Sequence, residues 1–132
     1  EHLENPNEVL KLIKKSKIKY LYLCVPLFSL STFIENVFQK VYPRQLNASH
    51  THLYTEKSLH YMIKKNKFKI LGEWWFGTDI SDLYRGMYLN FKYSDKKFLK
   101  YFDKMFGNFI DDLQNVLDKK KLSCEVHMVL KI

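Results

Sequence analysis

Apolar residues recur along the chain at spacings that change from one segment to the next. After Asn5-Pro6, a pair suited to cap and begin a helix, apolar positions lie three and four apart. Residues 18–25 then form a nearly continuous apolar run ended by Pro26, which is typical of a strand covered on both faces. Further apolar runs at 68–76 and 122–132 complete a prediction of three strands.

Helical spacing fills much of the sequence between the first two predicted strands. Ser29 or Ser31 can begin a short helix, and Thr55 can cap a second helix that ends near Asn66. The stretch 41–53 has no clean periodicity and is predicted to be a long loop. Long loops in compact domains often carry function.

The last third of the chain is mainly helical in pattern. We expect one helical turn over 79–85 and a long helix over 95–120, bent or broken at Gly107. The aromatic stripe of the long helix is expected to lie in the core, and core packing is also favoured for Trp74 and Trp75. The alternation of helices and strands predicts an α/β fold, with residues 1–132 forming one unit.

Composition narrows the class of protein. Hydrophobic residues make up 46% of the 132 positions, which is enough for a folded core, and no apolar stretch approaches the length of about 20 residues that spans a bilayer. The net charge is +8, but only two of the 22 basic residues are arginine, so nucleic-acid binding is not expected. Cys24 and Cys124 lie in strand-like runs and suggest reduced thiols in a cytoplasmic protein.

Three stretches, in their order and distances, resemble the second half of a class I S-adenosylmethionine-dependent methyltransferase domain. Glu1-His2-Leu3-Glu4-Asn5-Pro6 is similar to the segment after that family's fourth strand, and 20–26 is similar to its fifth strand. The stretch from His50 to Leu59, followed by Lys67-Phe68, resembles the run into its sixth strand, where the family usually has Gly-Phe. The resemblance covers essentially the whole chain.

The resemblance implies a partial Rossmann-like methyltransferase sheet with flanking helices. It would contain the fifth, sixth and seventh strands, the seventh (122–132) lying antiparallel between the other two. Residues 74–79 and 82–85 are similar to a bacterial subgroup with small-molecule substrates. The implied function is the acceptor-side half of a methyltransferase acting on a small molecule or sugar-linked compound.

The resemblance also implies roles for particular residues around the carboxyl ends of the strands. Glu1 and His2 would bind the cofactor. His50 and His52 would act as general bases, a role that suits histidine because its side chain titrates near neutrality. Residues that would line the acceptor pocket are Asp79, Asp82 and Arg85. Two alternatives stay open: a histidine that only bonds loop backbone, and an ion pair across one helical turn. No metal site is expected.

The sequence departs from the family in lacking the glycine-rich turn that binds the methyl donor. The family grips its donor with a glycine-rich turn, and the four glycines of this sequence are too far apart to build one. S-adenosylmethionine would therefore bind only in an intact parent protein, and we expect no transferase activity from this chain alone. Without its neighbouring strand, the edge at 18–25 would favour a homo-oligomer. A basic nucleic-acid-binding or protein-interaction module without catalysis is the alternative function.

Overall fold

The computed structural model describes residues 1–38, 45–46 and 50–132, so most of the predicted loop at 41–53 lies outside the described residues. The elements are α1 (Pro6–Lys15), β1 (Tyr20–Pro26), α2 (Leu30–Val37), α3 (Glu56–Lys65), β2 (Lys69–Phe76), α4 (Asp79–Ser94), α5 (Lys96–Phe106), α6 (Ile110–Lys119) and β3 (Glu125–Lys131). The predicted α/β class is confirmed. Within the described ranges, no helix is both long and apolar enough to cross a membrane.

The three strands form one sheet in the order β1-β3-β2, with β3 antiparallel to both neighbours. Val126 of β3 lies opposite Val25 of β1 on one side and Trp75 of β2 on the other. Strands β1 and β2 are therefore parallel to each other, and their carboxyl ends meet the start of β3 at one edge. The expected position of the last strand, antiparallel and between the other two, is confirmed.

One face of the sheet carries the hydrophobic core. Leu59 of α3 and Leu130 of β3 are fully buried, and Leu10 brings α1 against the same cluster. Burying a side chain of this size stabilises the fold by about 1.5–3 kcal/mol. The caps predicted for these helices are present: Asn5 accepts from the Glu8 backbone N–H, and a capping box begins α3.

The opposite face of the sheet is open, so the prediction that β1 is covered on both faces is wrong. Tyr20 and Tyr22 are each more than half exposed. Alternation along β2 separates the two tryptophans, since Trp75 is 6% exposed in the core whereas Trp74 is 63% exposed on the open face. Core packing is thus confirmed for Trp75 and wrong for Trp74. The reason is that α1 and α3 contribute to the core on the other face.

Two predictions about the last third of the chain need correction. Helix α4 has 16 residues rather than one turn, and the long pattern divides into α5 and α6 around a 3₁₀ turn that begins at Gly107. The break at Gly107 is confirmed. The aromatic stripe is mostly not core: Phe102 is buried, but Phe98, Met105 and Phe109 are more than half exposed. Helix α5 packs against α4, and that contact covers only part of its surface.

Helix α3 ends with a lysine in the left-handed backbone conformation, Lys67, at φ 58°. Its N–H donates to Lys64 O at 2.9 Å, and Phe68 N–H donates to Ile63 O at 3.1 Å, which together form a Schellman motif. Glycine is the usual residue there because it lacks a Cβ. Lys67 occupies the position at which the resemblance expects glycine.

Candidate functional site

A cavity of about 180 Å³ lies where β1 ends and β3 begins; its lining residues are Glu1, Cys24, Pro26, Gln45, His50, Cys124 and Glu125. In open α/β sheets, ligands bind at the carboxyl ends of parallel strands. The cavity lies at that edge of the sheet. Two polar atoms of its lining, Gln45 Oε1 and His50 Nδ1, are buried and have no hydrogen-bond partner among the described residues.

Three of the predicted site residues come together beside this cavity, although they lie at opposite ends of a 50-residue stretch. The Thr51 backbone N–H donates to Glu1 O at 2.8 Å, which ties the start of the chain to the histidine loop. The His2 and His50 rings then lie 4.9 Å apart, and His2 Nε2 is 3.3 Å from Glu1 Oε1. The structure thus brings Glu1, His2 and His50 together, while the cofactor-binding and catalytic roles given to them stay predictions.

His52 diverges from His50 despite being two residues away. Its Nδ1 is 2.8 Å from Thr51 Oγ1, and its ring stacks on Tyr54 at 6.1 Å. It is not among the residues that line the cavity. These contacts fit the alternative of a histidine held by its own loop, so of the two predicted catalytic histidines only His50 lines the edge cavity.

A second cluster, Cys24, Glu125 and His127, was missed by the sequence reasoning. Cys24 Sγ lies 3.0 Å from Glu125 Oε1 and 3.2 Å from His127 Nε2, and these last two atoms are 3.1 Å apart. The register explains the meeting, because Cys24 pairs with His127 across β1 and β3, and Glu125 lies two positions away on the same face. The sequence signal that could have indicated this cluster is the spacing of Glu125 and His127, which lie two residues apart in the last strand and so share a face.

The Cys24 thiol is protonated at neutral pH. Burial, together with the hydrogen bond to Glu125 and the charge of Glu125, raises the pKa of Cys24 to about 12. A nucleophilic cysteine needs the opposite shift, toward thiolate. The cluster therefore does not have the chemistry of a cysteine nucleophile.

Asp79 has a structural role that accounts for its burial. It is 0% exposed, and Ser29 Oγ, the Ser31 N–H and the Cys124 N–H donate to its carboxylate at 2.6, 2.9 and 2.9 Å. These bonds join α2, α4 and the start of β3. Gly77 leaves the necessary space, since a Cβ there would lie 2.5 Å from Asp79 Oδ2. A substrate contact is not needed to explain this residue.

Asp82 and Arg85 lie away from the edge cavity. Ser31 Oγ and Thr78 Oγ1 donate to Asp82 Oδ2 at 3.1 and 3.2 Å. Arg85 lies 3.9 Å from Asp82 across one helical turn, which matches the ion-pair alternative. Arg85 also lines a separate pocket of about 460 Å³ together with Tyr84, so the predicted acceptor residues do not converge with His50 on the edge cavity.

A larger groove of about 630 Å³ opens on the core side of the sheet, next to the segment that follows β1. Its lining is mainly apolar and includes Phe28, Phe33, Trp75 and Leu117, with Lys121 among the polar residues. The volume is in the range of small-molecule sites. Its volume and its mainly apolar lining therefore suit a small organic ligand.

Comparisons of the chain with protein-family models, with curated proteins and with solved structures found no match.

Proposed function

We propose that this chain is the acceptor-side, C-terminal part of a class I S-adenosylmethionine-dependent methyltransferase domain. The observation that carries the proposal is the strand order β1-β3-β2 with β3 antiparallel in the middle. The sequence resemblance expects that arrangement for the fifth, seventh and sixth strands. A simple hairpin meander would instead have placed sequential strands side by side.

The edge geometry supports a proton-transfer role for His50. In methyl transfer, the acceptor's lone pair forms a bond to the methyl carbon while the carbon–sulfur bond breaks and its electrons stay on sulfur. A proton of the acceptor must then go to a base. His50 lines the edge cavity, and its Nδ1 is buried without a hydrogen-bond partner in the described part of the chain, so the proposal assigns the uptake of that proton to this residue.

In this proposal the donor is held mainly by a preceding part of a longer parent protein, and Glu1 and His2 contact it from this side. The acceptor is a small molecule or sugar-linked compound, for which the 630 Å³ groove offers an apolar surface. The proposal includes a location in the cytoplasm, which the reduced state of Cys24 and Cys124 supports. This chain alone would lack transferase activity.

Methyl transfer by the protein of the full reading frame tests the proposal. We expect labelled methyl to move from S-adenosylmethionine to one member of a panel of small-molecule and sugar-nucleotide acceptors. His50→Gln should lower kcat by about 10²–10⁴-fold, the range for loss of a general base. His60→Gln is the matched control, since His60 lies in α3 beside Glu73 and away from the edge. Equal loss in both variants, or none in His50→Gln, would contradict the role.

The open sheet face favours a second function, that of an interaction module without catalysis. Tyr20 and Tyr22 on β1 and Trp74 on β2 expose large apolar surfaces on the same face of the sheet, and β1 has no second neighbour among the described strands. In the methyltransferase proposal this surface is covered in the parent protein. If the chain is an interaction module, this surface binds the partner protein. Absence of any methyl transfer by the longer protein would favour that second function.

A further inference from the structure

We propose that Cys24, Glu125 and His127 form a Zn²⁺ site with three protein ligands, beside the edge cavity. Such an arrangement leaves a fourth coordination position for water or a ligand. The inference does not depend on the methyltransferase proposal, because the metal alone tests it.

The geometry of the three donor atoms is already close to that of a tetrahedral site. Cys24 Sγ, Glu125 Oε1 and His127 Nε2 lie 3.0, 3.1 and 3.2 Å from one another. Zinc bonds of 2.0–2.3 Å at tetrahedral angles place neighbouring donor atoms roughly 3.3–3.6 Å apart. Each separation therefore has to widen by only a few tenths of an ångström.

The three donor types suit zinc. Thiolate, imidazole and carboxylate are its usual ligands in proteins. Two anionic ligands would balance the charge of the ion once Cys24 is ionised. Binding replaces the Cys24 thiol proton, so a sulfur–zinc bond forms and one proton passes to the solvent. No oxidant or reductant is needed.

The groups around His127 orient its ring toward the other two ligands. The Tyr22 hydroxyl hydrogen-bonds His127 Nδ1, so Nε2 is the nitrogen that faces Cys24 and Glu125. The Phe76 and Trp74 rings pack against the imidazole at 4.8 and 5.7 Å. Outer partners of this kind fix the orientation of a metal-binding histidine.

Another group of three, Glu1, His2 and His50, could compete for the same ion. It offers two imidazoles and a carboxylate but no thiolate, and one of its members, His2, is exposed. A thiolate ligand gives cobalt a distinctive spectrum, so the two groups can be separated by experiment.

The test is a titration of the purified chain with Co²⁺, followed by displacement with Zn²⁺. We expect one ion per chain, a near-ultraviolet thiolate-to-cobalt absorption band, and loss of that band when zinc is added. Cys24→Ser should abolish the band, and His127→Gln should weaken binding by at least about 100-fold. Tyr22→Phe, which alters only the outer partner, should weaken it by about 10–100-fold.

His60→Gln serves as the matched control, because His60 also lies near two carboxylates, Glu73 at 3.2 Å and Glu56 at 4.0 Å, and should bind no ion of this kind. Its band and affinity should equal those of the parent chain. Circular dichroism must show that Cys24→Ser keeps the parent's secondary structure. Absence of a thiolate band, unchanged binding in Cys24→Ser, or loss of binding only in His50→Gln would each overturn the proposal.

Discussion

Removal of the Asp79 carboxylate should destabilise the fold more than removal of any exposed acidic group. Asp79 is fully buried, and Oδ1 accepts from Ser29 Oγ, the Ser31 N–H and Ser31 Oγ while Oδ2 accepts from the Cys124 N–H. Asp79→Ala removes the acceptor of Ser29 Oγ and of the Cys124 N–H in a site from which water is excluded, whereas Ser31 Oγ keeps Asp82 Oδ2 and the Ser31 N–H keeps Ser29 Oγ. These donors hold the start of α2 and the start of β3 in place.

The magnitude follows from the nature of the bonds. A hydrogen bond to a charged group contributes about 1.5–3 kcal/mol, but members of one network are not additive. A buried donor left without an acceptor costs about 1–3 kcal/mol, and Ser29 Oγ and the Cys124 N–H are two such donors, so we expect Asp79→Ala to lower the free energy of unfolding by about 2–6 kcal/mol. Asp79→Asn keeps an oxygen for three donors and turns its amide N–H toward the Cys124 N–H. We therefore expect Asp79→Asn to lower the free energy of unfolding by about 1–3 kcal/mol.

Urea unfolding followed by tryptophan fluorescence measures the difference, because Trp75 lies in the core. Protein concentration must be held fixed, since self-association would shift the midpoint. Asp112→Asn is the control: Asp112 is exposed in the first turn of α6, where loss of a helix-dipole contact costs about 0.3–1 kcal/mol. If the free energy of unfolding of Asp79→Ala lies within about 1 kcal/mol of the parent value, the reasoning about this network is refuted.

Three further outcomes are expected. Lys67→Gly should raise the free energy of unfolding by up to about 1 kcal/mol, because relief of the left-handed strain exceeds the entropy cost of glycine. Lys65→Gly, at the last residue of α3, should instead lower the free energy of unfolding, by up to about 1 kcal/mol. Equal effects of the two substitutions would contradict the assignment. Cys24 in the folded chain should react slowly with an alkylating reagent at pH 8, since a pKa of about 12 instead of 9.0 lowers its thiolate fraction about 1,000-fold. Glu125→Gln should speed the reaction. A reaction rate equal to that of the unfolded chain would contradict the raised pKa. The stabilisation linked to that raised pKa is complete below about pH 9 and is lost as the pH rises toward 12. The chain should self-associate through the open edge of β1, so Tyr20→Lys should lower the mass found by light scattering, and a monomeric parent chain would count against this.

The elements that local chemistry encodes could be predicted from the sequence. Asn5-Pro6 and Thr55 begin helices because their side chains satisfy free backbone N–H groups, and both caps are present. The position of the last strand between the other two came from the resemblance rather than from periodicity. Gly107 was correctly expected to interrupt the long helical pattern.

Exposure could not be predicted in the same way, because it depends on which elements pack together. The run at 20–25 and the stripe that contains Phe98 have the composition of buried segments, yet each keeps an exposed face. The cluster of Cys24 with His127 depends on strand register, which joins positions 103 residues apart. Periodicity within one segment carries no information about such a pairing.

Donor binding is the most direct test of the proposed function. Isothermal titration calorimetry with S-adenosylmethionine should be carried out on the protein of the full reading frame and on this 132-residue chain under the same conditions. The account predicts saturable binding of the donor by the longer protein and none by this chain. Binding by this chain alone, or no binding by the longer protein, would contradict the assignment to the acceptor side of a methyltransferase.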